Sequence, residues 1–307
     1  MQAKHGFANV KRRKKVHTAT ALTTRSKVSE TKSTDPAFDV GNIAVVTGAA
    51  LGIGRASALR FAHLGMRVAI ADLSSDDLNS VHKEITEIVG QDNVLTQVCD
   101  VSDVTAMENF RDNICKKFGT PSILFNNAVT RVGRGMWADI EDWKRAVDVN
   151  LWGVINGVRC FVPAMIEKGM PSRVINAGSK QGITNPPGHP VYNLCKAAVR
   201  NLTEGLAYDL RSTPNCQTTA HLLIPGWTTT GKQQHKQGAW MPDQVIDEML
   251  SRVGSGDFYI VCPDGEISRE MDAKRILWSA QDITENRPAL SRWHPDWSEK
   301  FKKFELK

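Results

Sequence analysis

Ile43-Ala44-Val45-Val46-Thr47-Gly48-Ala49-Ala50-Leu51-Gly52-Ile53-Gly54 is the stretch that decides the fold. Its first five residues are mostly apolar and β-branched, the composition of a strand covered on both faces. A glycine-rich turn follows, and Gly54–His63 then reads as a helix. A turn between strand and helix aims backbone N–H groups and the positive end of the helix dipole at an anion. Gly48 permits the tight turn, Gly52 lets the backbone approach a pyrophosphate, and Gly54 lets the helix pack closely on the strand. Leu51 and Ile53 sit between them on the binding side of the turn.

The same rhythm continues along the chain. Further strands are expected at Arg67–Ala71, Val94–Cys99, Ile123–Phe125, Arg173–Asn176, Thr218–Ile224 and Phe258–Val261. Helices are expected at Asp76–Val89 behind a Ser75 cap, Val104–Phe118, a long stretch over Ile140–Lys168, Tyr192–Arg211 and Pro242–Val253. The strands are short continuous apolar runs, as in a sheet buried on both faces. Repeated βα units imply an α/β fold with one doubly wound, parallel, seven-stranded sheet, in a single domain over residues 41–263. Residues 264–307 break the rhythm and carry Trp278, Trp293 and Trp297 with Pro288 and Pro295. Three indoles would be costly to leave in water, so this segment reads as an extension packed on the domain or on a partner subunit.

The charge is concentrated at one end. The chain has 307 residues and a formal charge of +6, and residues 1–40 hold nine Lys/Arg against three acids. The remainder is neutral, which argues against a nucleic-acid surface on the folded part. Residues 1–40 read as a disordered basic tail or as a targeting segment. Their acid-poor composition suits a mitochondrial transit peptide, although the basic run Lys11–Lys15 interrupts any amphipathic helix; that run also fits a nuclear signal. Six cysteines without C-x-x-C spacing read as free thiols of a reducing compartment, with Cys99 and Cys216 on strands and Cys160 on a helix. No His pair completes a zinc pattern, so no metal is expected. No uninterrupted apolar run approaches 18 residues, so no transmembrane segment is expected. A cytoplasmic location follows, with the mitochondrial matrix as the alternative.

Asp72 ends the second expected strand, 24 residues after Gly48. A carboxylate there accepts hydrogen bonds from both hydroxyls of an adenosine ribose and repels a 2′-phosphate. No Arg or Lys between Gly48 and Gly54, or directly after Asp72, offsets that charge. NAD(H) is therefore expected in preference to NADP(H), with NADP(H) kept open. Tyr192-Asn193-Leu194-Cys195-Lys196 places Tyr192 and Lys196 on one helix face. A lysine cation near a phenol favours the phenolate, which suits proton exchange with an alcohol or alkoxide.

Taken together, these residues resemble the short-chain dehydrogenase/reductase family, in its single-domain Rossmann-fold form, from about Ile43 to Val261. The resemblance is carried by Thr47–Gly54, Asp100-Val101, Asn126-Asn127-Ala128, Asn150 in Val149-Asn150-Leu151, Ser179, Tyr192 with Lys196, and Pro225-Gly226. It implies that Tyr192 is the general acid/base and that Lys196 binds the nicotinamide ribose and holds down the tyrosine pKa. It implies that Ser179 bonds the substrate oxygen and that Asn150 holds a water linking Lys196 to solvent. Asp100 and Val101 would flank the adenine, Asn127 and Ala128 would line the adenosine side, and Thr228 and Thr230 would meet the carboxamide and phosphates.

Two positions depart from the family pattern. Val129 stands where glycine is usual, which is expected to shift the loop and weaken cofactor affinity. Gly178 stands where a second serine usually precedes the catalytic one, with little loss expected.

The substrate site is expected beyond the strand ends, among Thr130–Trp137, Gly182–Val191 and Trp227–Met241. Arg131 and Arg134 are either solvated or hold an anionic substrate group. His189 reads as a wall residue, and Trp227–Met241 has the composition of a lid. The resemblance implies a ketone or secondary-alcohol substrate and a homodimer or homotetramer built on the helices of Asn150 and Tyr192. Two rivals stand beside this expectation. One is an NADPH-dependent reductase of a secondary-metabolite ketone or imine. The other is a dinucleotide-sensing regulator without chemistry.

Overall fold

The computed structural model describes residues 35–231, 234–265 and 267–306. The basic run Lys11–Lys15 and the other readings placed on residues 1–34 lie outside the described residues, as do Lys232 and Gln233 within the expected lid.

The first half runs β1 (Ile43–Thr47), α1 (Gly52–His63), β2 (Arg67–Asp72), α2 (Ser75–Val89), β3 (Val94–Val98), α3 (Val104–Lys117) and β4 (Ile123–Asn126). The second half runs α4 (Ile140–Val147), α5 (Gly153–Lys168), β5 (Ser172–Ala177), α6 (Gln181–Thr184), α7 (Pro190–Ser212), β6 (Thr218–Ile224), α8 (Pro242–Gly254), β7 (Tyr259–Val261), α9 (Arg269–Thr284) and α10 (Ser298–Lys303). The seven strands form one sheet in the order β3-β2-β1-β4-β5-β6-β7, with every pairing parallel.

Why the strands are apolar throughout is visible on β1. Ala44 and Val46 face a core closed by Phe61 of α1, Leu78 and Ile85 of α2, and Ile246 and Met249 of α8. Ile43 and Val45 face the opposite core, closed by Phe110 of α3, Phe161 and Met165 of α5, and Leu210 of α7. Period-two alternation thus feeds two apolar layers and leaves no polar face. Phe110 and Phe161 meet edge to face at 6.3 Å. Each is buried almost completely and contributes about 1.5–3 kcal/mol by the usual measure of burial.

Several boundaries differ from the sequence expectation. The cap of α2 is Ser74, not Ser75, because Ser74 accepts the amide of Asp77, the third residue of the helix counted from the cap. Cys99 lies one residue beyond β3, and Cys216 lies two before β6, so neither is on a strand; Cys160 is on α5 as expected. All six thiols are free. The expected single helix over Ile140–Lys168 is broken by a π turn at Asp148–Trp152. By length and composition that stretch could cross a bilayer, but more than half of its most apolar window is buried inside the fold.

The expected tail boundary at residue 40 falls too late. Arg173 donates to both oxygens of Asp35, at 2.7 and 2.8 Å, and the Ser122 hydroxyl donates to the Ala37 carbonyl. Ala37 and Phe38 are buried, with Phe38 packed on Phe61 at 5.8 Å. In the C-terminal segment, Trp278 of α9 is buried against Trp297, Phe301 and Phe304, and its indole N–H donates to Ser291. The extension therefore closes a small core of its own beside the sheet.

Candidate active site

The strand order reverses direction between β1 and β4, and a cleft of about 460 Å³ opens beyond the carboxyl ends of the strands there. This is where the doubly wound fold places ligands.

The turn after β1 forms the floor of one end. Gly48 has φ +64°, and a Cβ on it would lie 2.6 Å from the Ala128 Cα. A Cβ on Gly54 would lie 2.0 Å from the Gly48 carbonyl oxygen, so the helix reaches the strand only because this position is glycine. Gly48, Leu51, Gly52 and Ile53 line the cleft, whereas Gly54 stands behind them as packing. Asn127 locks the turn: its amide donates to the carbonyls of Thr47 and Gly48 at 3.1 and 3.0 Å, and its backbone N–H donates to the Thr47 hydroxyl. Asn127 and Ala128 both border the cleft, so Asn127 supports the turn as well as lining the site.

Asp72 lies at the rim of this end. Its carboxylate accepts the Ala50 amide at 2.9 Å and the Leu73 amide at 2.7 Å, which fixes a negative charge beside the turn. Asp100 and Val101 line the neighbouring wall. Burial pushes the Asp100 carboxyl up, but hydrogen bonds from Ser102 and Arg145 outweigh this and hold it below the usual carboxylate range. Arg145 also borders the cleft, a contribution the sequence reading missed. On α4 it looks like any exposed helical cation until Asp100, 45 residues away, comes into view.

The other end of the cleft holds Ser179, Tyr192 and Lys196. Ser179 follows β5, and its hydroxyl oxygen accepts the Gln181 amide at 3.2 Å, which leaves its proton to donate. Tyr192 and Lys196 lie in the first turns of α7. The Lys196 ammonium is 5.8 Å from the Tyr192 ring centre and donates to the Ala177 carbonyl at 2.6 Å. Burial lowers the Lys196 pKa to about 8; the Cys195 thiol opposes this and Arg131 adds to it. Arg131 itself lies over the same ring, 5.4 Å from the Tyr192 centroid. Pro225, Gly226, Thr228 and Thr230 close the cleft after β6.

Asn150, like Gly54, is a predicted site residue that does not line the cleft. It is fully buried in the π turn, where its side-chain oxygen accepts the Thr130 amide at 2.8 Å and its amide donates to the Thr130 carbonyl at 2.9 Å. Its side chain thus clamps the loop that carries Arg131.

Both departures from the family pattern are accommodated. Val129 lies on the cleft wall with an ordinary negative φ, so the position demands no glycine freedom. At Gly178 a Cβ would press on the Leu222 side chain at 3.0 Å and the Leu223 carbonyl at 3.1 Å, so a larger residue there needs those neighbours to give by a few tenths of an ångström. Among the expected substrate residues, Trp137 is almost fully exposed, His235 bonds the Thr229 hydroxyl, and His189 caps α7 outside the cleft.

A family model described as short chain dehydrogenase matches residues 42–239. The chain belongs to that family. It is 32% identical over 219 residues to the 3-oxoacyl-[acyl-carrier-protein] reductase of Thermotoga maritima, spanning 71% of this chain and 85% of that protein. Its fold is similar to a short chain dehydrogenase/reductase from Burkholderia phymatum in complex with NAD, with a TM-score of 0.73 and 27% identity over 81% of this chain and 96% of the other. It is also similar to a metagenomic short-chain oxidoreductase in complex with NADP, with a TM-score of 0.63 and 25% identity over 73% of this chain and 98% of the other. This short-chain dehydrogenase is therefore an oxidoreductase that moves a hydride between a nicotinamide cofactor and a ketone or secondary alcohol. These relatives are described as reductases, dehydrogenases or oxidoreductases, which gives the regulator reading no support. The cleft fits such a cofactor: the glycine turn leaves room where side chains would intrude, and a fixed carboxylate stands at the ribose end.

Proposed function

We propose that this chain is an NAD(H)-preferring ketoreductase or secondary-alcohol dehydrogenase with Tyr192 as its proton donor and acceptor. One observation carries the reading: Ser179, Tyr192 and Lys196 share a single cleft with the glycine turn and Asp72. The preference for NAD(H) is supported by Asp72, whose charge is pinned by two backbone amides and would repel a 2′-phosphate. Among relatives, one solved neighbour holds NAD and another NADP.

The bound nicotinamide supplies or accepts the hydride. Ser179 donates its free proton to the carbonyl oxygen, where negative charge grows as hydride arrives. Tyr192 then gives its phenolic proton to the nascent alkoxide, and takes it back in the reverse direction. Lys196 holds a positive charge in a low-dielectric wall beside the phenol, where it favours the phenolate left after transfer. Asn150 fixes the Thr130 backbone and so the loop bordering Tyr192.

The guanidinium of Arg131 has no carboxylate partner among the described residues and faces the Tyr192 ring. This favours a substrate that carries an anionic group near its carbonyl. Trp152 beside α5, and Leu194 and Tyr208 on α7, are exposed, which suits a second copy of the chain on those helices. Six free thiols suit a reducing compartment, cytoplasmic in our reading.

The test is a panel of cyclic, aryl and β-keto substrates, as acids and as esters, with NADH and NADPH, followed at the reduced-nicotinamide absorbance. Turnover with higher efficiency on NADH supports the proposal. Higher efficiency on NADPH overturns the Asp72 reading, and equal rates on acid and ester overturn the Arg131 reading. Sedimentation at micromolar concentration tests the oligomer, and a monomer refutes it.

A further inference from the structure

Lys180 follows Ser179 directly, and its side chain turns away from the cleft into a buried cluster of charges. Its ammonium lies 2.6 Å from an Asp272 oxygen and 3.4 Å from an Asp264 oxygen. All three side chains are nearly buried, at 14%, 7% and 7% exposure. The Asp272 contact is a charge pair with poor hydrogen-bond alignment, since that oxygen gains no well-directed donor. Burial pushes the Asp272 carboxyl up, and Lys180 and Arg275 oppose that shift.

The cluster sits against two pieces of the site. On one side, the Lys180 backbone N–H donates to the Pro225 carbonyl at 3.3 Å, which joins the Ser179 turn to the segment after β6. On the other, Asp264 accepts the Trp227 backbone N–H at 3.0 Å. Gly226 lies between them. A Cβ on it would stand 2.3 Å from the Asp264 oxygen and 3.0 Å from the Lys180 nitrogen. The charged tips of the cluster thus occupy the space that a side chain at Gly226 would take. The next residue of the extension repeats the attachment, because the Gly265 N–H donates to the Gly238 carbonyl at 2.9 Å. Gly238 belongs to the returning leg of the loop, and that leg is paired to the outgoing one: Trp240 donates to the Trp227 carbonyl, and Thr229 donates to the Trp240 carbonyl. Asp264 and Gly265 therefore hold both legs of the segment that carries Thr228 and Thr230, and Asp272 of α9 anchors the lysine from behind.

We infer that Lys180 and Asp264 are positioning residues for hydride transfer: their buried ion pair, anchored by Asp272, registers Ser179 against the Pro225–Thr230 segment. The inference rests on Ser179 being the donor to the substrate oxygen. It gives the C-terminal segment a part in the chemistry without touching substrate. A buried charge pair of this kind adds little stability over apolar packing, but it fixes geometry, and each member is costly to remove alone.

The experiment uses the full chain with Asp264→Ala, Asp264→Asn, Lys180→Met and Lys180→Arg. AMP binding reports whether the Gly48–Gly54 turn and Asp72 remain intact, since the cluster touches neither and AMP ends before the nicotinamide half that Thr228 and Thr230 would hold. Amide exchange is read over 225–231 and 238–241, and kcat and KM are measured on cyclohexanone and ethyl acetoacetate. In Asp264→Ala and Lys180→Met we expect AMP affinity within about twofold, exchange faster by about tenfold in both legs, and kcat lower by about 10- to 100-fold. Lys180→Arg restores kcat, whereas Asp264→Asn keeps an acceptor for Trp227 but loses the charge, and falls between. If the Ala and Met variants lose AMP binding, the milder pair decides. Wild-type kcat and exchange in Asp264→Asn then overturn the inference, as do unchanged values in well-folded Asp264→Ala. If the wild type reduces neither ketone, exchange and AMP binding decide the positioning by themselves.

Discussion

Replacing Lys196 by methionine should abolish turnover and at the same time stabilise the unliganded fold. The lysine is 3% exposed, and burial brings its pKa from 10.5 to about 8. At about 1.4 kcal/mol for each tenfold, holding the ammonium inside costs about 3 kcal/mol at neutral pH. Methionine has a similar length and fills irregular space well, so packing changes little. The loss of the hydrogen bond to the Ala177 carbonyl returns about 1–2 kcal/mol of that gain. The net expectation at pH 7 is a variant more stable by about 1–2 kcal/mol. The pH dependence is the sharper test. Between pH 8 and 10.5 the unfolded chain still binds a proton that the folded chain has released. Wild-type stability therefore rises with pH across that window relative to the methionine variant, and the buried-charge cost is fully present below it. Urea unfolding of both proteins from pH 7 to 10.5, followed by circular dichroism, should show the variant's advantage vanish and reverse, by about 3 kcal/mol in all. A difference that stays constant across the window would refute a desolvated lysine, whatever happens to activity.

Four other outcomes are expected. Tyr192→Phe should lower turnover by about 10²- to 10⁴-fold, with NADH affinity measured by fluorescence little changed. Asp72→Asn removes the charge and leaves one oxygen where the Ala50 and Leu73 amides now bond separate carboxylate oxygens, so relative efficiency with NADPH over NADH should rise about tenfold in steady-state assays. Gly54→Ala drives a Cβ into the Gly48 carbonyl, and should abolish NADH binding and lower the urea midpoint by the equivalent of about 3 kcal/mol or more. Trp278→Ala empties the centre of the C-terminal aromatic cluster at a cost of about 3–5 kcal/mol by urea unfolding, an effect that an exposed indole would not produce.

What the sequence made legible were features whose cause is local. The strands announce themselves because each must satisfy two cores, so nearly every residue from Ile43 to Val46 is apolar. The glycine turn is legible because only glycine tolerates the approach of Gly54 to Gly48. Tyr192 and Lys196 are legible because helical spacing alone puts them together. The features that escaped depend on partners far away in the chain. The apolar pattern of Ile140–Lys168 gives no sign of the π turn, which coincides with Asn150 and its two bonds to Thr130. Ser74 and Ser75 are equivalent as letters, and the choice follows from where β2 releases the chain after Asp72. Ala37 and Phe38 looked like part of a polar tail because their partners, Phe61 and Ser122, come much later.

The charges divide in the same way. Asp72 could be assigned from spacing because its role is fixed by the strand it ends. Lys180 could not, since in sequence it is one cation in a polar turn, and its partners stand 84 and 92 residues downstream. Yet its position, immediately after Ser179 and against Gly226, leaves it unable to move without moving both. A doubly wound sheet supplies the cofactor end of the cleft from its first half, through β1, β2 and their turns. The reacting end must be brought to it from β5, β6 and α7, whose loops are longer and less constrained by the sheet. In this chain the extension beyond β7 returns to those loops and pins them with Asp264, Gly265 and Asp272. The C-terminal segment thus completes the half of the site that the sheet leaves loosest.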